Sequence, residues 1–243
     1  MRRGIYFAYG VAAYVGFLGA FLYMIGFIGN FLVPTTLDGP AEGSLWKAAL
    51  INTLLVGLFA VQHTWMARPT FKTWWTKFAP VPIERPTYVL FTNIALVLMY
   101  WLWQPMGGVV WDVQNPIGRA VLYSLFGLGW LIVLVTTFLI NHFDLFGLRQ
   151  VWCYLRDTPC TSLGFMTPGP YKIVRHPLYV GWLTVFWATP TMGSAHLLFA
   201  IGLTVYVLVA IQFEERNLEE FHGEAYASYR RRVPMLIPAL PGR

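Results

Sequence analysis

Residues 5–33 carry no aspartate, glutamate, lysine or arginine, and Pro34 ends the run. A helix that crosses the ~30 Å hydrocarbon core of a bilayer needs about 20 mainly apolar residues. This one segment therefore commits the chain to lipid. Met1-Arg2-Arg3 precedes it as in a secretory leader, but the run far exceeds the ~7–15 apolar residues of a leader core, so it reads as a retained first span. Further apolar segments follow at 45–65, 88–103, 117–140, 177–189 and 195–213. Charged residues make up only 12% of the chain, against about 25% in an ordinary soluble domain. The expected fold is all-α: a polytopic integral membrane protein with about five to six transmembrane helices and an amphipathic C-terminal cytosolic helix. The 177–189 segment is short for an untilted span and also suits one arm of a tight helical hairpin.

Charge in the loops predicts the orientation. Loop 66–87 carries Arg68, Lys72, Lys77 and Arg85, and loop 141–176 carries Arg149, Arg156, Lys172 and Arg175. Loops 34–45 and 104–116 contain no lysine or arginine. Basic loops face the cytoplasm, which places both termini and the two large polar segments there. The chain is expected to form one membrane domain over 1–243, with membrane helices one to four in 1–140 and the polar chemistry in 141–238. The net charge of +6 lies mostly beside apolar segments, which favours membrane anchoring over nucleic-acid binding. No internal repeat supports a duplicated transporter, and charges inside the spans are too few for an ion pathway. Cys153 and Cys160 are not spaced as a CxxC pair and have no zinc-type partner set. Two reduced thiols and no metal are expected.

Three polar clusters adjoin the apolar segments. The first is 141–150, with His142, Asp144, Arg149 and Gln150 among Phe and Leu. It reads equally as a site or as a helix C-terminus suited to basic side chains. The second is 167–181, TPGPYKIVRHPLYVG. Its turn leads through Arg175-His176 to Pro177, a residue suited to the first helical turn. Such a helix start can hold a carboxylate or phosphate, while Lys172 and Arg175 alone also fit headgroup contacts. The third runs from Glu214 to Arg232. Leu218, Phe221, Ala225, Tyr226 and Tyr229 fall at helical spacing, and the arginines at 230–232 read as a lipid anchor. Glu214 and Glu215 face a negative lipid field and are better explained by a cationic or hydroxyl-bearing ligand.

Residues 167–238 resemble the membrane methyltransferases of the isoprenylcysteine carboxyl methyltransferase type: GPY at 169–171, RHPLYVGW at 175–182, EE at 214–215 and FHGEAYASYRRRVP at 221–234. The resemblance implies an S-adenosyl-L-methionine site at Tyr171, Arg175, His176, Pro177, Leu178, Tyr179 and Glu214, with Gln150 as a further cofactor residue. Ala210 stands where the prenylcysteine enzymes place a substrate-contacting arginine. The segments at 59–75, 84–91, 140–152 and 189–200 resemble instead the methanethiol S-methyltransferase group, which is similar to the NnrU-like membrane proteins. That resemblance implies methylation of a small volatile thiol, methanethiol, to dimethyl sulfide, with release of S-adenosyl-L-homocysteine. It also implies a bacterial inner membrane location with the active site facing the cytoplasm.

A thiol such as free cysteine is mostly protonated at neutral pH, so the acceptor sulfur needs help to ionise. On this reading His142, oriented by Asp144, takes the thiol proton, and Arg149 or Arg175 stabilises charge nearby. His63 is a second candidate base. The rival readings are a larger methyl acceptor (a prenylcysteine carboxylate or lipid amine), a nicotinamide-dependent sterol reductase on the same scaffold, and a non-enzymatic accessory protein.

Overall fold

The computed structural model describes residues 1–161 and 164–238. It is mostly helical: α1 (Arg2–Gly29), α2 (Leu45–Ala67), α3 (Pro69–Trp75), α4 (Glu84–Leu102), α5 (Pro116–Ile140), α6 (His142–Leu145), α7 (Leu148–Arg156), α8 (Pro177–Trp187), α9 (Ser194–His222) and α10 (Glu224–Arg232). Among the described residues α1, α2, α5 and α9 are long and apolar enough to cross a membrane. Their outer faces expose Leu22, Leu54, Val61, Leu131 and Val205, a display of large apolar side chains that water would not tolerate over so wide an area. The protein is an integral membrane protein.

The fifth apolar segment forms α8, whose 11 residues reach only about 16 Å at ~1.5 Å per residue. It is half a span. The third forms α4, which opens on Glu84 and Arg85 and buries Thr87 and Asn93, and it falls outside the four candidate spans. The sixth continues well beyond 213: α9 has 29 residues and a length of roughly 43 Å, so its charged end, 214–222, extends past the apolar part. Gly223, at φ 55°, separates α9 from α10. The chain is also not wholly α. Val109–Asp112 (β1) pairs antiparallel with Thr191–Gly193 (β2), Trp111 opposite Met192 and Asp112 opposite Thr191. Val and Trp favour this pleated pairing, and the segment is too short for periodicity to reveal it.

The chain divides into two compact units. The first comprises 1–112, 143–161 and 191–202. Phe27, Trp103 and Phe199 meet edge to face in its core. Polar side chains join its helices through backbone groups: Asn93 Nδ2 donates to Ala13 O at 3.0 Å and Tyr100 OH to Ala20 O at 3.0 Å. Asn52, fully buried, grips both backbone groups of Gln104, at 2.8 and 2.9 Å. Such groups hold membrane helices together where hydrophobic contrast is weak.

The second unit comprises 113–142, 162–190 and 203–243. Here α5 and α8 touch through glycines. A Cβ at Gly181 would lie 2.9 Å from Gly129 O, and one at Gly129 would lie 3.0 Å from Gly181 O. This close approach fixes α8, and with it the residues at its N-terminus.

Candidate functional site

In the second unit the 167–181 stretch becomes a turn followed by a helix start. Gly169, at φ 51°, opens a tight turn over Gly169–Lys172, and Pro177 begins α8 with no N–H to leave unpaired. The backbone just before α8 is stitched to the C-terminal arm. Arg175 N–H donates to Pro234 O at 2.8 Å and His176 N–H to Met235 O at 3.1 Å.

Glu215 is the hub of this region. Its Oε1 accepts from Arg175 Nε at 2.7 Å and from His176 Nε2 at 2.9 Å, and its Oε2 lies 3.1 Å from Arg230 Nε. Arg175 Nη1 also donates to Val233 O at 2.6 Å and Arg230 O at 3.1 Å. Glu215 is 3% exposed, His176 5% and the Arg175 side chain 11%. Burial alone would raise the Glu215 carboxyl, but Arg175 and His176 outweigh it and hold it below the usual glutamate value. Removing one partner of such a buried pair costs about 3–5 kcal/mol, so this cluster organises the fold locally. The partners expected of a ligand at Glu215 are thus supplied by the chain itself: Arg175 faces inward, and Arg230 reaches Glu215 from the surface.

Glu214 differs. It is exposed, and its Oε2 accepts from Tyr179 OH at 2.8 Å. Two buried hydroxyls nearby have no hydrogen-bond partner among the described residues, those of Tyr171 and Tyr226. Burial raises the Tyr171 phenol first, then the charge of Glu214 and Tyr229. Burial likewise raises Tyr226, with Glu215 adding to it. Tyr229 is pushed up to about 12, by burial first, and donates to Tyr171 O at 2.6 Å. A stranded buried hydroxyl costs about 1–3 kcal/mol, so this cluster is suited to a hydrogen-bonding ligand. Pro177 is buried in the first turn of α8, with Leu178 beside it. His142 lies in the same unit, stacked on Phe138 at 4.2 Å, with Nδ1 2.8 Å from Thr137 Oγ1. Thr137 donates its own proton to Leu134 O, which leaves its oxygen able to accept from Nδ1–H. Burial lowers the His142 pKa.

A second polar group belongs to the first unit. Asp144 Oδ1 accepts from Arg149 Nη1 at 2.8 Å and Gln150 Nε2 at 3.2 Å, and Arg149 Nη2 donates to Thr161 O at 2.7 Å. The hydrogen bond that Arg149 donates to Asp144 raises the Arg149 pKa. Gln150 Oε1 is buried without a partner among the described residues. Gly147, at φ 86°, lets this turn meet α4 closely, since a Cβ there would lie 2.7 Å from Pro86 N. Arg85 Nε then reaches Leu145 O at 2.7 Å and its guanidinium covers the Tyr88 ring at 4.8 Å. Tyr88 OH is 2.7 Å from His63 Nε2, while His63 Nδ1 is 3.2 Å from Thr92 Oγ1. The structure thus unites Asp144, Arg149 and Gln150 in one unit, and Tyr171, Arg175, His176, Tyr179 and Glu214 in the other.

Glu215 as hub, Thr137, Tyr226 and an Asp38 cluster did not emerge from sequence reasoning. Asp38 accepts from Gly193 N–H at 3.1 Å and Asn30 Nδ2 at 2.9 Å, and lies 3.5 Å from the wholly buried His196. Burial alone would raise its carboxyl, but His196, Gly193 and Asn30 together hold it below its ordinary value. Only the Asp38-Gly39 turn signal hinted at it.

Comparison with known proteins then places the chain. A family model described as phospholipid methyltransferase matches residues 123–225. The chain is 55% identical to methanethiol S-methyltransferase of Crocosphaera subtropica, covering 98% of this chain and 93% of the relative. It is 52% identical to the protein of the same name from Mycobacterium tuberculosis, covering 98% of both. A more distant relative is nurim of Sus scrofa, 32% identical over 76% of this chain and 78% of its own length. No solved structure matches.

Proposed function

This chain belongs to the methanethiol S-methyltransferase family, and we propose that it uses S-adenosyl-L-methionine to methylate methanethiol, giving dimethyl sulfide and S-adenosyl-L-homocysteine. The observation that carries this reading is the near-full-length similarity to enzymes of that name. The polar cluster of the second unit fits the cofactor. When bound, S-adenosyl-L-methionine supplies an electrophilic methyl group on a sulfonium. Its ammonium and ribose hydroxyls are donors for the exposed Glu214 carboxylate, and its carboxylate and ring nitrogens are acceptors for the stranded Tyr171 and Tyr226 hydroxyls. His176, Pro177, Leu178 and Tyr179 form the helix start against which it would rest. Arg175 serves by holding this segment.

His142 takes the thiol proton, its ring set by Thr137 and Phe138. Because burial lowers its pKa, the ring is neutral at pH 7 and ready to accept. Within the first unit, Asp144 and Arg149 organise their own turn. The transfer itself is in-line, so alignment and exclusion of water are the main demands on the protein. The alternation of basic and non-basic loops supports a site at the cytoplasmic face of a bacterial inner membrane.

The test is headspace detection of dimethyl sulfide from the purified protein in detergent, given methanethiol and S-adenosyl-L-methionine. A signal that requires both substrates and disappears with Glu214→Ala is the expected result. Absence of dimethyl sulfide with cofactor binding intact would refute the thiol as acceptor and favour a larger one, such as the phospholipid named in the family description.

A further inference from the structure

We propose that Glu215 is a positioning residue of the donor site: it holds His176 as the Nε2–H tautomer, so that the ring offers Nδ1 as a hydrogen-bond acceptor to the donor cofactor. This rests on the methyltransferase reading above and deepens it. A carboxylate only accepts hydrogen bonds, and Glu215 Oε1 lies 2.9 Å from His176 Nε2. The proton on that nitrogen is therefore obligatory. Glu215 also meets two guanidiniums, those of Arg175 and Arg230, so its charge is matched without a third cation and the contact does not require an imidazolium. A neutral ring protonated on Nε2 carries its lone pair on Nδ1.

The group that meets His176 must then be a donor: the amine of the adenine, a ribose hydroxyl or the ammonium of the methionyl end. The same carboxylate fixes where the ring sits. Through Arg175 and Arg230 it ties α9 to the start of α8 and to the arm at 230–235, and the arm returns backbone bonds to Arg175 and His176. Ring orientation and tautomer are set by one side chain that itself needs no contact with the cofactor.

The test is nitrogen NMR on full-length protein with its five histidines labelled, in detergent, read with and without S-adenosyl-L-homocysteine. The expected spectrum assigns His176, by its loss in His176→Gln, as a neutral ring protonated on Nε2, and ligand addition shifts its Nδ1 resonance. A ring protonated on Nδ1, or on both nitrogens, overturns the proposal even if dimethyl sulfide is formed. Glu215→Gln should lower affinity for S-adenosyl-L-homocysteine by about tenfold or more, the scale of a hydrogen bond to a charged group, while the thiol KM at saturating donor stays put. Unchanged affinity in that variant also overturns it. Glu215→Leu strands two guanidiniums and is prone to misfold, so the wild-type spectrum stands as a test that needs no Glu215 variant.

Discussion

A side chain added at Gly181 tests how tightly the donor-site helix is set. A Cβ there would lie 2.9 Å from Gly129 O, 2.9 Å from Val133 Cγ2 and 3.0 Å from Val133 N. Two of these three atoms are backbone of a 25-residue helix and cannot rotate away. Carbon contacts become favourable only near ~3.5 Å, so Gly181→Val must push α8 and α5 apart by several tenths of an ångström or more. Overpacking costs about 1–3 kcal/mol, with valine near the upper end, and the gain in helix propensity over glycine returns less than about 0.5 kcal/mol. At roughly 2–4 °C per kcal/mol for a chain of this length, the melting midpoint in detergent should fall by about 5–10 °C. The shift also moves Tyr179 against Glu214 and His176 against Glu215, contacts of 2.8 and 2.9 Å, so affinity for S-adenosyl-L-homocysteine should drop several-fold. Gly127→Val on the same α5 is the control, since nothing lies within 4 Å of its Cβ. If Gly181→Val melts and binds like wild type, or no differently from the control, the close helix approach does not set the site.

Tyr179→Phe removes one hydrogen bond to an exposed carboxylate, so titration calorimetry should show S-adenosyl-L-homocysteine binding weakened about three- to tenfold; an unchanged Kd would detach Tyr179 from the site. His142→Asn should cut kcat/KM for the thiol by about 10²–10⁴ if His142 is the base, and the deficit should shrink as pH rises and the thiol ionises unaided. A loss independent of pH would point to packing instead. The depressed Glu215 carboxyl contributes stability that is fully present above the unfolded glutamate pKa and is lost as pH falls through its lower folded value. The melting-temperature gap between wild type and Glu215→Gln should accordingly close below pH ~4, and a gap that widens in acid would contradict the sign. The Cys160 thiol, free like that of Cys153, is pushed up to about 11 by burial first and then by a hydrogen bond with Cys153, so alkylation at pH 7.5 should be slower than for an ordinary thiol and should accelerate in Cys153→Ala.

The sequence carried the membrane spans well because a long apolar run has few other uses: 5–33, 45–65, 117–140 and 195–213 became α1, α2, α5 and the apolar part of α9. It carried α4 and α8 less well because apolarity reports burial, and burial in protein looks the same as burial in lipid. Length settles α8 against a full span, and the polar opening of α4 separates it from the four. The candidate site was legible where its parts lie close in the chain, as at 171–179. It was not legible where partners are distant, as for Asp38 with His196 or Arg175 with Val233. Nor could the sequence show that Thr137, one of two adjacent threonines in an apolar helix, would meet the His142 ring.

The adjacent glutamates show why pairing in sequence misleads about function. Successive residues of a helix point about 100° apart, so Glu214 and Glu215 cannot share a ligand simply by being neighbours. The one turned inward is desolvated and persists as a carboxylate only because Arg175, Arg230 and His176 surround it. The one turned outward keeps its hydration, is held lightly by Tyr179, and can exchange water for a ligand at small cost. Their roles therefore separate by energy. Loss of the inner carboxylate strands the buried Arg175 guanidinium and disturbs both fold and site, whereas loss of the outer one removes an acceptor from a surface that stays intact. On the proposed reading, binding chemistry falls to Glu214 because Glu215 is already committed to keeping the helix start and the C-terminal arm in place.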